Sequence, residues 1–372
     1  VQGKKQRVLV VDDDEGMLRA AQRVLSPQYE VLVAGSASKA LETAASHRPD
    51  LAVCDIRMPE MDGYALVAAL RAGQPDMDAI FMTGSQTEPD GHLVRSLQHD
   101  AFYFIQKPFD RRVLSTLVSR CLELRALRQT QRAHLQHLKE ELEEARLFQR
   151  TMLAPESAEL SGARLEARCF PCQELGGDLY DYALAPDGRV AFILADVRGH
   201  GASAALLTAV VKAVFHTSPG FEPGLVAGRL AAAVGPFGDD RFVTAFCGLL
   251  DPKTGQLEYV NAGHPAAVVR GAKGCIEIKP NAPLACAAFP KDSWHTARAE
   301  IGRGALLVAY TDGLAEALDP SRAGRGAALV RELVERGPSD AAGMVAAVAE
   351  AVTQALHGRP AVDDISVLVI GT

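Results

Sequence analysis

Leu51-Ala-Val-Cys-Asp55-Ile-Arg-Met-Pro-Glu-Met-Asp-Gly63 decides the reading of the first part of the chain. Four apolar residues end abruptly on a carboxylate, and Pro59 and Gly63 punctuate the stretch beyond it. A buried strand that hands over to a loop has this form. The pattern recurs on either side. Val8-Leu-Val-Val11 runs into Asp12 and Asp13, Ile80-Phe-Met82 into Thr83, and Phe104-Ile-Gln106 into Lys107. The spacing predicts strands over Arg7–Val11, Glu30–Ala34, Leu51–Cys54, Ala79–Met82 and Phe102–Ile105. Helical segments alternate with them, the first over Gly16–Leu25. This alternation predicts an α/β fold over residues 6–125, with a doubly wound five-stranded parallel sheet. In such sheets the chemistry gathers outside the carboxyl ends of the strands.

Asp12, Asp13, Asp55, Thr83 and Lys107 all stand at those ends. Three carboxylates so close repel one another unless a divalent cation neutralises them, and an all-oxygen ligand set suits Mg²⁺. A carboxylate held in this way can attack a phosphoryl donor in line, with Lys107 and the Thr83 hydroxyl placed to hold the added oxygens. The segments Val11-Asp-Asp-Asp14, Cys54-Asp-Ile-Arg-Met-Pro-Glu-Met-Asp-Gly63, Met82-Thr-Gly84 and Gln106-Lys-Pro-Phe109 resemble, in order, those of a bacterial response-regulator receiver. The resemblance implies that Asp55 accepts a phosphoryl group from a sensor histidine kinase. It further implies that Asp12 and Asp13 bind Mg²⁺ with Asp55, Asp13 more directly, and that the Lys107–Pro108 bond is cis. Phe104 stands where the family has its switch aromatic, usually Tyr, so a switch here works by packing alone.

Residues 110–153 contain almost no Gly or Pro and are rich in Leu, Arg, Glu, Gln and Ala. Leu135, Leu138, Leu142, Ala145, Gln149 and Met152 succeed one another at intervals of three and four, and Leu117, Cys121 and Leu124 keep the rhythm before Arg128 and Gln131 break it. This predicts a long helical linker, ended by Ala154-Pro155, whose apolar stripe seats a parallel coiled-coil homodimer; the alternative is a helix packed along its own domain.

Beyond it, over residues 156–372, apolar runs alternate with glycine-marked turns: Val190–Val197, Phe242–Leu250, Leu257–Val260, Ala266–Arg270, Ala305–Thr311 and Ile365–Ile370. Ala/Leu-rich helices interrupt them at Ala202–His216, Gly224–Val234 and Ser339–Leu356. Clustered strands and helices predict a layered α+β domain, an αββα sandwich. Asp178 succeeds two glycines; Asp196, Asp312 and Asp363 stand at strand ends or tight turns. Aspartates gathered without His or Cys favour Mg²⁺ or Mn²⁺, and a pair of such ions suits phosphoryl displacement.

The segments Gly176-Gly-Asp178, Asp196-Val-Arg-Gly-His-Gly201, Asn261-Ala-Gly-His-Pro265, Thr311-Asp-Gly313 and Asp363-Asp-Ile-Ser366 together resemble the metal-dependent protein phosphatases of the SpoIIE/RsbU type. Glu144–Gln149 and Leu153–Pro155 resemble the helix that precedes that domain. The resemblance implies two Mn²⁺ or Mg²⁺ ions bridged by Asp196, with the Val197 carbonyl, Asp312 and Asp363 around one and Asp178 holding the second. Asn261 and His264 would order a nearby turn, and Asp364 would support the ligands. His200 is open to a role near the leaving group or in the loop, and Arg198 to contact with a phosphoryl group or with solvent.

The composition agrees with this division of labour. The chain has 372 residues, 48% hydrophobic and 23% charged, with a formal net charge of −7 and no basic run. Unspecific nucleic-acid binding is disfavoured, and no helix-turn-helix is recognisable. No apolar stretch suffices for a membrane span, and seven scattered cysteines read as reduced thiols, so a cytoplasmic protein is expected. Cys169-Phe-Pro-Cys172 is an isolated pair, read as two buried thiols rather than a zinc site. The leading expectation is a response regulator whose output is a phosphoserine/phosphothreonine phosphatase acting on an anti-sigma factor antagonist. The alternative is a non-catalytic adaptor that binds a sigma-factor or anti-sigma partner.

Overall fold

The computed structural model describes residues 5–84, 103–172, 175–199, 201–238, 240–272, 274–290, 292–321 and 324–372. Its contacts divide the chain into two compact units, Val1–Leu138 and Lys139–Thr372.

In the first unit, β1 (Arg7–Val11), β2 (Glu30–Ala34), β3 (Leu51–Asp55), β4 (Asp78–Thr83) and β5 (Tyr103–Gln106) form one sheet in the order β2-β1-β3-β4-β5. All its pairings are parallel. Phe102, expected to open the last strand, lies outside the described residues. Successive side chains of a strand point to opposite faces, and β1 displays the result. Val8 and Val10 pack with α1 (Glu15–Leu25) and the start of α4 (Arg111–Met152). Leu9 and Val11 pack on the other face with α2 (Ala37–His47) and α3 (Gly63–Gly73). Burial on both faces is why these strands are unbroken apolar runs.

Helix α4 spans 42 residues without a break. Leu114, Val118, Cys121, Leu122 and Arg125 are its buried residues. Cys121, which keeps the rhythm of the seam in the sequence, therefore belongs to the core of the first unit. Leu135, Leu138 and Leu142 stay exposed.

The second unit stacks two antiparallel sheets. With β6 (Ser157–Leu160), β11 (Gln256–Ala262), β12 (Ala267–Gly271), β13 (Gly274–Ile278) and β14 (Ala297–Glu300) among their strands, one has the order β14-β11-β10-β9-β8 and the other β13-β12-β15-β16-β7-β6. The first sheet includes β8 (Asp178–Leu184) at its edge beside β9 (Val190–Val197) and β10 (Val243–Asp251), and the centre of the second holds β7 (Ala163–Phe170), β15 (Leu306–Tyr310) and β16 (Ile365–Gly371). Val190, Phe192 and Leu194 of β9 face the opposing sheet, where Leu368 and Ile370 of β16 meet the same core. Ala191, Ile193, Ala195 and Val197 face outward onto α5 (Ala202–Thr217) and α6 (Pro223–Val234). On the far side Ile365, Val367 and Val369 pack against α7 (Asp312–Leu318), α8 (Gly326–Arg336) and α9 (Ala341–Leu356). The result is the four-layer αββα sandwich.

Between the sheets space is tight. A Cβ on Gly248 would lie 2.4 Å from Phe192 Cζ and 3.0 Å from Leu257 Cδ1. The Asn261–Pro265 segment forms a closed turn. Asn261 Oδ1 accepts the His264 N–H at 2.9 Å, and Asn261 Nδ2 donates to the Pro265 carbonyl at 3.1 Å. His264 Nδ1 lies 2.9 Å from the Thr244 hydroxyl, and burial pushes the ring's pKa down to about 3.

Gly248→Val should destabilise the protein by about 1–3 kcal/mol through overpacking, whereas Gly35→Ala, with nothing near its Cβ, should change it by under about 0.5 kcal/mol; denaturant unfolding measures both. An unfolded chain protonates His264 near 6.5, but the folded ring resists until about 3. Protonation in that window favours the unfolded chain, so stability should fall as pH drops through it. His264→Gln should make that fall shallower in unfolding measured across pH.

Candidate functional site

The first centre sits where β1, β3 and β5 end. Asp12 and Asp55 are buried, Asp13 is exposed, and their ligand oxygens lie within 4.8 Å of one another. Lys107 Nζ reaches Asp12 Oδ2 at 2.6 Å and Asp55 Oδ2 at 2.9 Å. Burial raises the Asp12 pKa, against the lowering pull of Lys107. Burial also works against the Lys107 charge, but the two carboxylates outweigh it and the lysine pKa rises.

The backbone around this centre is set closely. Lys107 N–H donates to the Thr83 carbonyl at 2.7 Å, and Lys107–Pro108 is cis. Gly63 N–H donates to the Ile56 carbonyl at 2.9 Å, and a Cβ there would lie 2.2 Å from the Asp55 carbonyl oxygen. Only glycine allows that approach. Asp12 Oδ1 accepts the Asp14 N–H at 3.0 Å, and Asp14 in turn caps α1. Phe104 stacks on Phe81 with centroids 5.7 Å apart.

The second centre is built from strand ends of both sheets. Asp178 opens β8 and stands directly across from Asp196 on β9. Asp312 begins α7 just beyond β15, and Asp363 and Asp364 precede β16. Asp178 Oδ2 accepts the Thr311 hydroxyl at 2.8 Å, and that hydroxyl oxygen accepts the Ser366 N–H at 2.9 Å. Burial comes first, and the charges of Asp196 and Asp364 second, in raising the Asp178 pKa well above the usual range. Burial, then Asp312, Asp363 and Asp364, push Asp196 up to about 7. Asp312 is raised by burial and by Asp363 and Glu316. No cation side chain appears among these causes, so like charge is concentrated here.

Asp364 holds the pieces together. Its Oδ1 accepts the Cys172 N–H at 2.8 Å and its Oδ2 the Gly177 N–H at 2.6 Å. Cβ atoms on Gly176, Gly177 and Gly313 would lie 2.6 Å from Asp364 Oδ2, 2.6 Å from the Val197 carbonyl oxygen and 2.0 Å from the Asp364 carbonyl oxygen. Cys169 and Cys172 are half-buried rather than buried, and the second contributes through its backbone. The Cys172, Asp363 and Asp364 ligand atoms come within 4.8 Å of one another; among the described residues, Asp178, Asp196 and Asp312 join no group that tight.

In the sequence Gln149 shows as a stripe position of the linker helix and as the end of the Glu144–Gln149 segment, with no contact assigned to it. Its Nε2 donates to the Gly176 carbonyl at 2.7 Å, and its Oε1 accepts the Gly176 N–H at 3.1 Å. The end of α4 thus grips the loop that presents Asp178. A glutamine among the aliphatic positions is the signal that marks it. Arg198 donates to the Asp240 carbonyl at 3.2 Å and lies over the Phe242 ring at 5.1 Å. His200 lies outside the described residues.

Both centres fit divalent cations by the same physical test. Oxygen-rich, charge-crowded pockets with raised carboxylate pKa values gain from a cation that offsets the repulsion.

Comparison with known proteins agrees with this geometry. The family described as Stage II sporulation protein E (SpoIIE) matches residues 186–372, half of the chain. The response regulator receiver domain matches residues 8–119. The transcriptional regulatory protein GlrR of Escherichia coli is 36% identical over 121 residues, 32% of this chain and 27% of GlrR. Protein IcfG of Synechocystis is 26% identical over 212 residues, 49% of this chain and 33% of IcfG. The chain spans between about an eighth and a half of the length of the curated relatives it matches. The SiaA-PP2C domain of Pseudomonas aeruginosa shares the fold, with a TM-score of 0.54 at 18% identity over 64% of this chain and 99% of that domain. The chain belongs to the SpoIIE family of PP2C-type phosphatases and carries a response-regulator receiver ahead of that domain.

Proposed function

We propose that phosphorylation of Asp55 by a sensor histidine kinase controls a metal-dependent phosphatase acting on phosphoserine or phosphothreonine in a protein. The substrate class we favour is an anti-sigma factor antagonist, in a cytoplasmic partner-switching circuit. Among the described residues no helix is long and apolar enough to cross a membrane. The working domain division is receiver 6–125, linker 110–153 and phosphatase 156–372.

The observation that carries the reading is the gathering of Asp178, Asp196, Asp312 and Asp363 at the strand ends, where burial first and neighbouring carboxylates second push Asp196 up to about 7. An adaptor free of catalysis has no use for so costly a concentration of charge. In the phosphatase Asp196, shared between two Mn²⁺ or Mg²⁺ ions, and the Val197 carbonyl would help hold them. Asp312 and Asp363 would complete the ligands of one ion, and Asp178 would hold the other. Such a pair, when bound, activates water and offsets charge on phosphoryl oxygens. Thr311 and Asp364 hold Asp178 and its loop in place. In the receiver, Asp12, Asp13 and Asp55 hold Mg²⁺, and Thr83 and Lys107 take the phosphoryl oxygens. The exposed Leu135, Leu138 and Leu142 stripe supports a homodimer through α4.

Asp196→Ala should lower Mn²⁺-dependent phosphate release from a phosphorylated antagonist by at least about 100-fold, a loss on the scale of other electrostatic groups at active sites. Asp55 should still be phosphorylated in that variant. Asp55→Ala should remove the response of this release to beryllofluoride. Activity unchanged in the first variant would refute the assignment, and an intact response in the second would refute the control. Leu138→Asp should shift the chain toward monomer in light scattering; an unchanged mass would refute the helical dimer.

A further inference from the structure

The four carboxylates of the second centre differ in exposure. Asp178 is buried and Asp196 half-buried, whereas Asp312 and Asp363 are exposed. The centre therefore opens on the side of Asp312 and Asp363, and a phosphoryl group that reaches it comes from there. Beside that opening lies a small cavity of about 190 Å³. Ala317 of α7 and Leu356 at the end of α9 give it apolar walls, and Pro360 and Val362, between α9 and β16, extend them. Gly313 and Asp363 line it too, so cavity and centre share a wall. The volume falls short of the roughly 300–1,000 Å³ of small-molecule sites and suits a single side chain instead.

Val362 stands out in this lining. It is 79% exposed, more than any other large hydrophobic residue among those described, and it immediately precedes Asp363. Lone exposed hydrophobics are ordinary on a surface, but this one continues the apolar walls of a cavity that adjoins a reaction centre. The segment that carries it is anchored at both ends. Arg359 N–H donates to the Leu356 carbonyl at 2.9 Å, and Asp364 is held by the amides of Cys172 and Gly177. Arg359 Nε also reaches the Leu356 carbonyl, at 3.4 Å, and among the described residues its terminal nitrogens have no partner. They are exposed donors suited to the carbonyl groups of an extended peptide.

We propose, on the basis of the phosphatase reading, that this cavity takes an apolar side chain flanking the phosphorylated residue of the substrate protein. A peptide whose phosphoryl group stands at the centre lays its neighbouring residues on the adjoining surface, and that surface is apolar here. Covering Val362 and filling the space beside Ala317 removes apolar area from water, which favours a substrate with an aliphatic neighbour over one without. Val362 and Ala317 thereby set which phosphoproteins are processed.

The test assays the full chain with Mn²⁺, beryllofluoride present and absent, on p-nitrophenyl phosphate and on phosphoserine peptides. The peptides carry one Leu, or Ala in its place, at successive flanking positions. Leu at one of them should raise kcat/KM about 10-fold over Ala, chiefly through KM, as uniform binding does. Ala317→Leu, which fills the cavity without altering the segment that carries Asp363, should abolish that preference, and Val362→Ser should weaken it. Both should hydrolyse p-nitrophenyl phosphate as the parent does. Val362→Asp should keep the parent's mass in light scattering. Hydrolysis of p-nitrophenyl phosphate with no preference for Leu overturns the inference while the phosphatase reading stands, as does a preference untouched by Ala317→Leu. A lower mass for Val362→Asp marks the face as a contact between copies and overturns it as well. No hydrolysis of any of these substrates refutes the phosphatase reading and this inference with it.

Discussion

The phosphatase centre depends on one carboxylate that commits both of its oxygens to backbone. Asp364 accepts from Cys172 and Gly177 and so joins the loop before β8 to the turn before β16. Around it the backbone comes so close that Gly176, Gly177 and Gly313 have no room for a Cβ. This contact sets where Asp178 begins its strand and where Asp363 leaves its turn. Charge-assisted hydrogen bonds of this kind are about twice as strong as neutral ones. Their strength is needed here, because Asp196 repels both Asp178 and Asp312, which would otherwise spread apart. Thr311 adds a second tie, linking Asp178 to the end of β15 and to Ser366.

The receiver solves the same problem with a cation of its own. Lys107 stands between Asp12 and Asp55 and offsets their repulsion directly. The two centres therefore use opposite devices, a lysine in one and backbone amides with a hydroxyl in the other. The difference fits their tasks. Under the proposed function a receiver aspartate gains a phosphoryl group and needs a positive partner beside it. A hydrolytic site needs its carboxylates left free to face cations.

Much of this is legible in the sequence, because strand-end aspartates succeed apolar runs in a readable order. Asp12, Asp55, Asp196 and Asp312 all stand where such runs stop. The αββα layering is less direct. Strands such as β9 are apolar on both faces, so alternation does not tell which side meets helices and which meets the other sheet. The strand beginning at Asp178 escapes the reading because its sequence, Asp-Leu-Tyr-Asp-Tyr-Ala-Leu, carries two acids, and Asp181 pairs with Lys212 from α5. Gln149 and Asp364 are marked in the sequence, but their backbone partners are far away in it, and no local pattern reports which backbone they hold. Cys121 shares the rhythm of the linker stripe yet is core, since one helix serves a packed face first and an open one later.

If glycine-permitted backbone contacts, and not the ligand side chains alone, form the phosphatase metal site, then Gly177 matters as much as any aspartate. Calorimetric titration of Mn²⁺ into Gly177→Ala tests this most directly, in protein whose circular dichroism matches the parent. That substitution removes no ligand but places a methyl 2.6 Å from the Val197 carbonyl oxygen. The predicted result is loss of the binding that Asp196→Ala also removes, with the receiver's binding retained. Mn²⁺ binding equal to that of the parent chain would contradict it.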